Sequence, residues 1–301
     1  MQEIAPNVYI ETAFYGGTVA ALITDEGIIC IDTPPLPGEA RRWRSQLAHL
    51  SSKPIALIIN TSHNPIRLIG NRWYNAPVMA HEATHRIIST HPEMFRAPHV
   101  LHETHDSLPE LAGVRPILPE ISFTDGATVY RGGQRITTLA RPGAAASACW
   151  VHLPDLNLLF IGDTLFPSPH PLLYTAALDR WLDEIRDLTT GQHPHTTIIS
   201  GQLPLDANLR AAAEPQIEYL RYLRDQLRRL ARAGKSDEEI LTFIPNILKK
   251  YPVEPPWQNF ILQRLTVGLP SVFRNVKVAI GIAPPEPLDV DAEAPPAEET
   301  L

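Results

Sequence analysis

At 301 residues, with 44% hydrophobic and 20% charged residues, the chain can bury a large core and reads as one α/β domain with a C-terminal extension. No apolar run approaches the roughly 18 residues that span a bilayer, which excludes a helical membrane protein. Of the formal net charge of −7, six units come from Glu286, Asp289, Asp291, Glu293, Glu298 and Glu299, so the remainder is nearly neutral and offers no basic face to nucleic acid.

The first residues, Met1-Gln2-Glu3-Ile4, alternate and carry an acid where a secretory signal would carry a basic patch, so the expected location is the cytoplasm. Cys30 and Cys149 lie in apolar strand-like runs and read as reduced core residues. Residues 4–14, 18–24 and 28–32 read as a β-meander, with turns at Gly16-Gly17 and Asp25-Glu26-Gly27. Pro34, Pro35 and Pro37 stop the third strand. Ala40, Trp43, Leu47 and Leu50 then recur at helical spacing and predict a helix over 38–50 lying on a sheet.

The run Ile55-Ala56-Leu57-Ile58-Ile59 predicts a buried strand, so the polar stretch that follows, Asn60 to Tyr74, emerges at a strand's C-terminal end, where ligands collect in layered α/β folds. A strand over 78–80 and a helix over 82–95 come next, and residues 96–119 have no clear period. Strands over 121–123, 128–130, 136–140, 148–153 and 156–161 read as a second sheet. A helix over 178–189, a strand over 196–199 and helical runs from Leu209 to Leu230 and beyond Ser236 complete the chain. Ser236 with Glu239 makes a capping box. Arg221, Arg224, Arg228, Arg229 and Arg232 are interspersed with acids and read as a solvated helix face.

The stretch Asn60-Thr61-Ser62-His63-Asn64-Pro65-Ile66-Arg67 with Gly70-Asn71 resembles the metallo-β-lactamase superfamily, whose loop here reads HxHxDH between Asn-Thr and Gly-Asn. Cys30-Ile31-Asp32-Thr33, Gly143-Ala144, Gly162-Asp163 and Gly201-Gln202 are similar to that family's "IDT", "GGH", "GD" and "GH", in the same order over residues 1–205. The resemblance implies a four-layer αββα sandwich with extra C-terminal helices. Family members hold one or two zinc ions with these residues and generate hydroxide from bound water. In this chain the seven ligand positions hold Ser62, Asn64, Ile66, Arg67, Ala144, Asp163 and Gln202, with His63 on the unconstrained position between the first two.

Asp163 alone among these is a strong ligand, and a divalent site needs three or four in fixed geometry. The resemblance therefore implies a domain that has lost its zinc ligands, a non-catalytic pseudoenzyme with a binding or regulatory role, no cofactor and no catalytic residue. The alternative is a divergent ester, thioester or lactone hydrolase holding zinc through unusual ligands such as His63, Asp163, His81 or a loop histidine. Arg67 is expected to project into the former metal volume and pair with Asp163, which otherwise lacks a counter-ion. Ser62, His63, Asn64 and Arg67 could then receive a small polar or anionic ligand; an unidentified protein is the other partner expected.

Three further patterns carry less. His81-Glu82-Ala83-Thr84-His85 spells the zincin HExxH, but His81 falls at a strand-to-helix junction, where it caps instead of facing His85. His193 and His195, and His99, His102 and His105, read as surface or loop residues. Ser62 and His63 are adjacent on extended chain and point apart, so they make no Ser–His dyad. The expected organisation is a metallo-β-lactamase-like domain over 1–205, a helical extension packed on it over 206–281, and a disordered acidic tail over 282–301.

Overall fold

A computed structural model describes residues 1–91, 95, 111, 114–167, 170–190 and 196–284. His99, His102, His105, His193 and His195, and the acidic residues of the tail, lie outside the described residues.

The first sheet has seven strands in chain order: β1 (Gln2–Ala5), β2 (Val8–Glu11), β3 (Val19–Thr24), β4 (Gly27–Ile31), β5 (Ile55–Ile59), β6 (Val78–His81) and β7 (Ile121–Phe123). The first four pair antiparallel; β4 to β7 run parallel, with a crossover helix, α1 (Pro37–Leu50), between β4 and β5. The second sheet has the order β12-β11-β10-β9-β8, from β8 (Gly126–Arg131), β9 (Gln134–Ala140), β10 (Cys149–Leu153), β11 (Leu158–Phe160) and β12 (Thr197–Ile199).

Strand alternation sorts the core into layers. Ile29 and Ile31 of β4 and Cys149, Val151 and Leu153 of β10 face each other between the sheets. Ile28 and Cys30 point the other way, onto Ala40, Trp43 and Leu47 of α1. Trp150, Leu159 and Ile161 leave the second sheet on its outer face and meet α4 (Leu178–Thr189), α5 (Leu209–Arg232), α6 (Ile244–Lys250) and α7 (Gln258–Ala279). The result is the αββα sandwich with extra C-terminal helices.

The structure corrects several boundaries. The strand expected over 4–14 is two strands, because Asn7 takes a left-handed backbone (φ 61°) and turns the chain. Ile121–Phe123 does not begin the second sheet; it adds to the first, Met79 pairing with Ile121. The helix after β6 is shorter than expected, ending at Thr90, just before His91-Pro92. Residues 154–156 form a 3-10 turn ahead of β11. The capping box forms, with Glu239 accepting from Ser236 N at 2.8 Å and Ser236 from Glu239 N at 3.1 Å, but it opens a 3-10 turn that leads into α6. Two of the arginines expected to be solvated, Arg224 and Arg228, instead reach Asp179 on α4, at 3.5 and 2.8 Å. Both cysteines are buried and free.

Candidate functional site

The loop after β5 is held by side-chain amides. Asn71 Nδ2 donates to Asn60 Oδ1 at 2.7 Å, Asn60 Nδ2 to the Arg67 carbonyl at 2.9 Å, and Thr33 Oγ1 to Asn71 Oδ1 at 2.8 Å. Asn60 and Asn71 thus close the loop from both ends. Within it Asn64 caps the single turn α2 (Pro65–Leu68), and Arg67 leaves that turn pointing inward.

The Arg67 side chain is fully buried. Nε donates to both Asp163 oxygens, at 3.2 and 3.3 Å, and Nη2 pairs with Asp163 Oδ1. Nη1 donates to the Thr18 carbonyl at 3.1 Å, and Asp32 Oδ2 stands 3.9 Å from Nε. Asp163 also accepts from Asn64 Nδ2 at 3.0 Å and Gln202 Nε2 at 3.3 Å. Burial by itself would raise the Asp163 carboxyl, but the Arg67 charge and the donors around it bring it below the ordinary value. Burial would likewise lower Arg67, and Asp163 and Asp32 more than offset it.

Asp32 is the residue that sequence reading passed over as a site member. Its carboxylate accepts from Thr61 N at 2.8 Å and Thr61 Oγ1 at 2.6 Å, and burial lifts it to about 6 against the pull of Arg67. A signal was available: an acid closing a buried strand needs partners, and Asp32 has a left-handed backbone (φ 57°) at the end of β4.

His63 is 1% exposed and pairs with Ser147, not with Ser62. Its backbone N–H donates to Ser147 Oγ at 2.7 Å, Nδ1 lies 2.6 Å from the same oxygen, and Nε2 lies 3.4 Å from Thr175 Oγ1. These contacts are satisfied together when Ser147 O–H donates to Nδ1 and the proton sits on Nε2. Burial depresses the imidazole to about 4, so it is neutral near pH 7.

The other expected positions complete one wall. Ser62, His63, Asn64, Ala144 and Asp163 line a cleft with Ala145, Ala148, Phe166, Leu172 and Trp181, enclosing about 480 Å³ of empty space, its opening included. Ile66 turns away into an apolar cluster with Ile69, Leu111 and Val114. Two glycines nearby sit where the packing leaves no room for a side chain. At Gly201 an added Cβ would run into the Arg67 guanidinium, and at Gly143 one would fall 2.6 Å from the Trp181 Cα.

Zinc does not fit this donor set. A guanidinium fills the centre, Asp163 has both oxygens committed, and His63 Nδ1 is engaged by Ser147. His81 spends its Nδ1 on the Ala83 N–H at 3.1 Å, capping α3 (Glu82–Thr90). Among the described residues no group of three or more His, Cys, Asp or Glu is arranged to hold a metal ion.

No curated protein matches the sequence. Solved structures do. A metallo-beta-lactamase from Pontibacter korlensis is 18% identical, with 73% of this chain and 97% of that one covered and a TM-score of 0.54. A metallo-beta-lactamase family protein from Thermus thermophilus is 20% identical, with 93% and 95% covered and a TM-score of 0.62. The stereoselective inverting sec-alkylsulfatase from Pseudomonas sp. is 16% identical, with 97% of this chain and 52% of that one covered, also at a TM-score of 0.62. At these identities the likeness is one of fold. The sequence model of the metallo-beta-lactamase superfamily matches residues 71–241, more than half of the chain, beginning at the asparagine that closes the loop and ending inside the C-terminal helices. With the layered sandwich and the altered ligand positions described, the chain belongs to the metallo-beta-lactamase superfamily.

Proposed function

We propose that this protein is a non-catalytic member of its superfamily, a binding or regulatory module in which an internal cation has taken the place of the metal. One observation carries the reading: Arg67, fully buried, forks onto Asp163 at the position where the family's last loop histidine would ligate. A guanidinium supplies fixed positive charge, but it has neither an open coordination site nor a bound water whose proton it could release, so the family's route to hydroxide is closed. The cleft beside it keeps the features of a receptor: neutral His63, Ser62 and Asn64 together with apolar walls.

The test is metal content per chain by elemental analysis, after purification without chelator and again after dialysis against zinc with unbound metal removed. The expected result is less than about a tenth of an equivalent in both samples. One or two retained equivalents would overturn the reading and make His63, Asp163 and His81 the first residues to mutate.

A further inference from the structure

The cleft beside Arg67 carries a surplus of hydrogen-bond donors. Ser147 accepts from the His63 backbone N–H and donates to Nδ1, which leaves the ring proton on Nε2, where Thr175 Oγ1 stands 3.4 Å away. The Thr175 hydroxyl also accepts from the Ala146 N–H at 3.0 Å, so its lone pairs are filled and its own proton has no acceptor among the described residues. Ser62 is in a similar position: it accepts from the Asn64 N–H at 3.2 Å, and its hydroxyl proton has no acceptor among the described residues. Ser62, His63 and Thr175 all line the cleft.

The acceptors on the same lining are already in use. Asp163 receives Arg67, Asn64 and Gln202, and Asn64 Oδ1 receives the Ile66 N–H at 3.4 Å. Asp163 is also the one ionised group among the described residues that line the cleft. Arg67 does not line it and gives its donors to Asp163 and the Thr18 carbonyl. An anion entering here would meet a carboxylate with no free cation to answer it. Ala144, Ala145, Ala148, Phe166, Leu172 and Trp181 supply apolar lining, and the Trp181 indole N–H is spent on the Thr164 carbonyl at 2.8 Å.

We infer that this cleft receives a small neutral carbonyl compound, its oxygen accepting from His63 Nε2–H and the Thr175 hydroxyl and its aryl or short alkyl body resting on the apolar lining. Nε2 and Oγ1 are 3.4 Å apart, so one oxygen can sit about 2.9 Å from both. The contact between them is long, and a shared N–H can serve a second acceptor. Burial keeps the imidazole neutral, so it offers a dipole in place of a charge and gives an anion no advantage. Ser147 fixes the ring beforehand, which lowers the ordering cost of binding. The empty space of about 480 Å³, opening included, falls within the range of about 300–1,000 Å³ that takes small molecules. The inference rests on the non-catalytic reading above and names the ligand class of that site.

The experiment is titration of the full chain with acetophenone, with ethylbenzene, which keeps the ring and chain without the oxygen, and with benzoate. Binding is followed by nitrogen–proton NMR spectra, and zinc is measured on the same sample. Acetophenone is expected to shift the Ala145 and Ala148 amides, with ethylbenzene and benzoate weaker by about fivefold or more. Thr175→Val should lose about fivefold in acetophenone affinity while binding ethylbenzene as the parent does, a selective loss that a merely structural role would not produce. Equal affinity for acetophenone and ethylbenzene, benzoate binding as tightly as acetophenone, or a Thr175→Val protein that keeps the full preference for the ketone overturns the proposal. The ligand comparisons need no variant and stand if Thr175→Val fails to fold. Zinc-free protein that ignores acetophenone overturns this inference alone, whereas zinc retained at one equivalent removes the reading beneath it.

Discussion

Removing a guanidinium from water costs several kcal/mol unless its donors find acceptors in good geometry, and Arg67 meets that condition with Asp163, the Thr18 carbonyl and the nearby Asp32. The arrangement is tight enough to dictate its neighbours. Gly201→Ala should displace the guanidinium and cost about 2 kcal/mol or more, read by urea unfolding; a change within about 0.5 kcal/mol would mean that Arg67 has room to move. His63 sets a pH dependence of definite sign. Its folded pKa of about 4 lies below the unfolded value near 6.5, so the unfolded chain takes up the proton first and stability falls as pH drops through that window. At pH 5 the loss is about 2 kcal/mol relative to pH 7. Asp32 and Glu184, raised by burial to about 6 and about 8, act in the opposite sense, so the measurement is the difference between parent and His63→Asn. The variant should lose less stability between pH 7 and 5 than the parent; parallel curves would mean that His63 is not held neutral.

At the scale of elements, the amphipathic helices were readable because one face turns inward: Ala40, Trp43 and Leu47 of α1 and Leu178, Trp181, Leu182, Ile185 and Leu188 of α4 are the buried apolar residues of their helices. Sheet membership was not. Ile121–Phe123 reads as a strand from its residues, but its place beside β6 depends on Met79, more than forty positions earlier, and no local pattern reports that. The C-terminal helices are joined to the sandwich through one core in which Leu223 of α5 and Leu269 of α7 pack with Trp150 and Leu159 of the second sheet. Leu223→Ala and Leu269→Ala should therefore each cost about 2–5 kcal/mol and lower a single cooperative transition. Two separate transitions would show that the extension folds independently of the domain.

Over the whole molecule, the site was legible where it is framed by residues close in sequence and silent where it is assembled from afar. Asn60-Thr61 and Gly70-Asn71 fixed the register that puts Arg67 on a ligand position, and those two asparagines bond to each other. Ser147, Thr175 and Asp32 come from three other parts of the chain, and only the tertiary fold brings them to Thr61 and His63 of the loop after β5.

The central claim is that Arg67 is the resident cation of a former metal pocket, and a double-mutant cycle on whole-protein stability tests it most directly. Arg67→Met and Asp163→Leu should each cost about 3–5 kcal/mol in urea unfolding, because each strands a buried charge, and the double variant should cost clearly less than their sum. Single losses below about 1 kcal/mol, or strict additivity, would contradict the claim and leave the pocket without its internal ion pair.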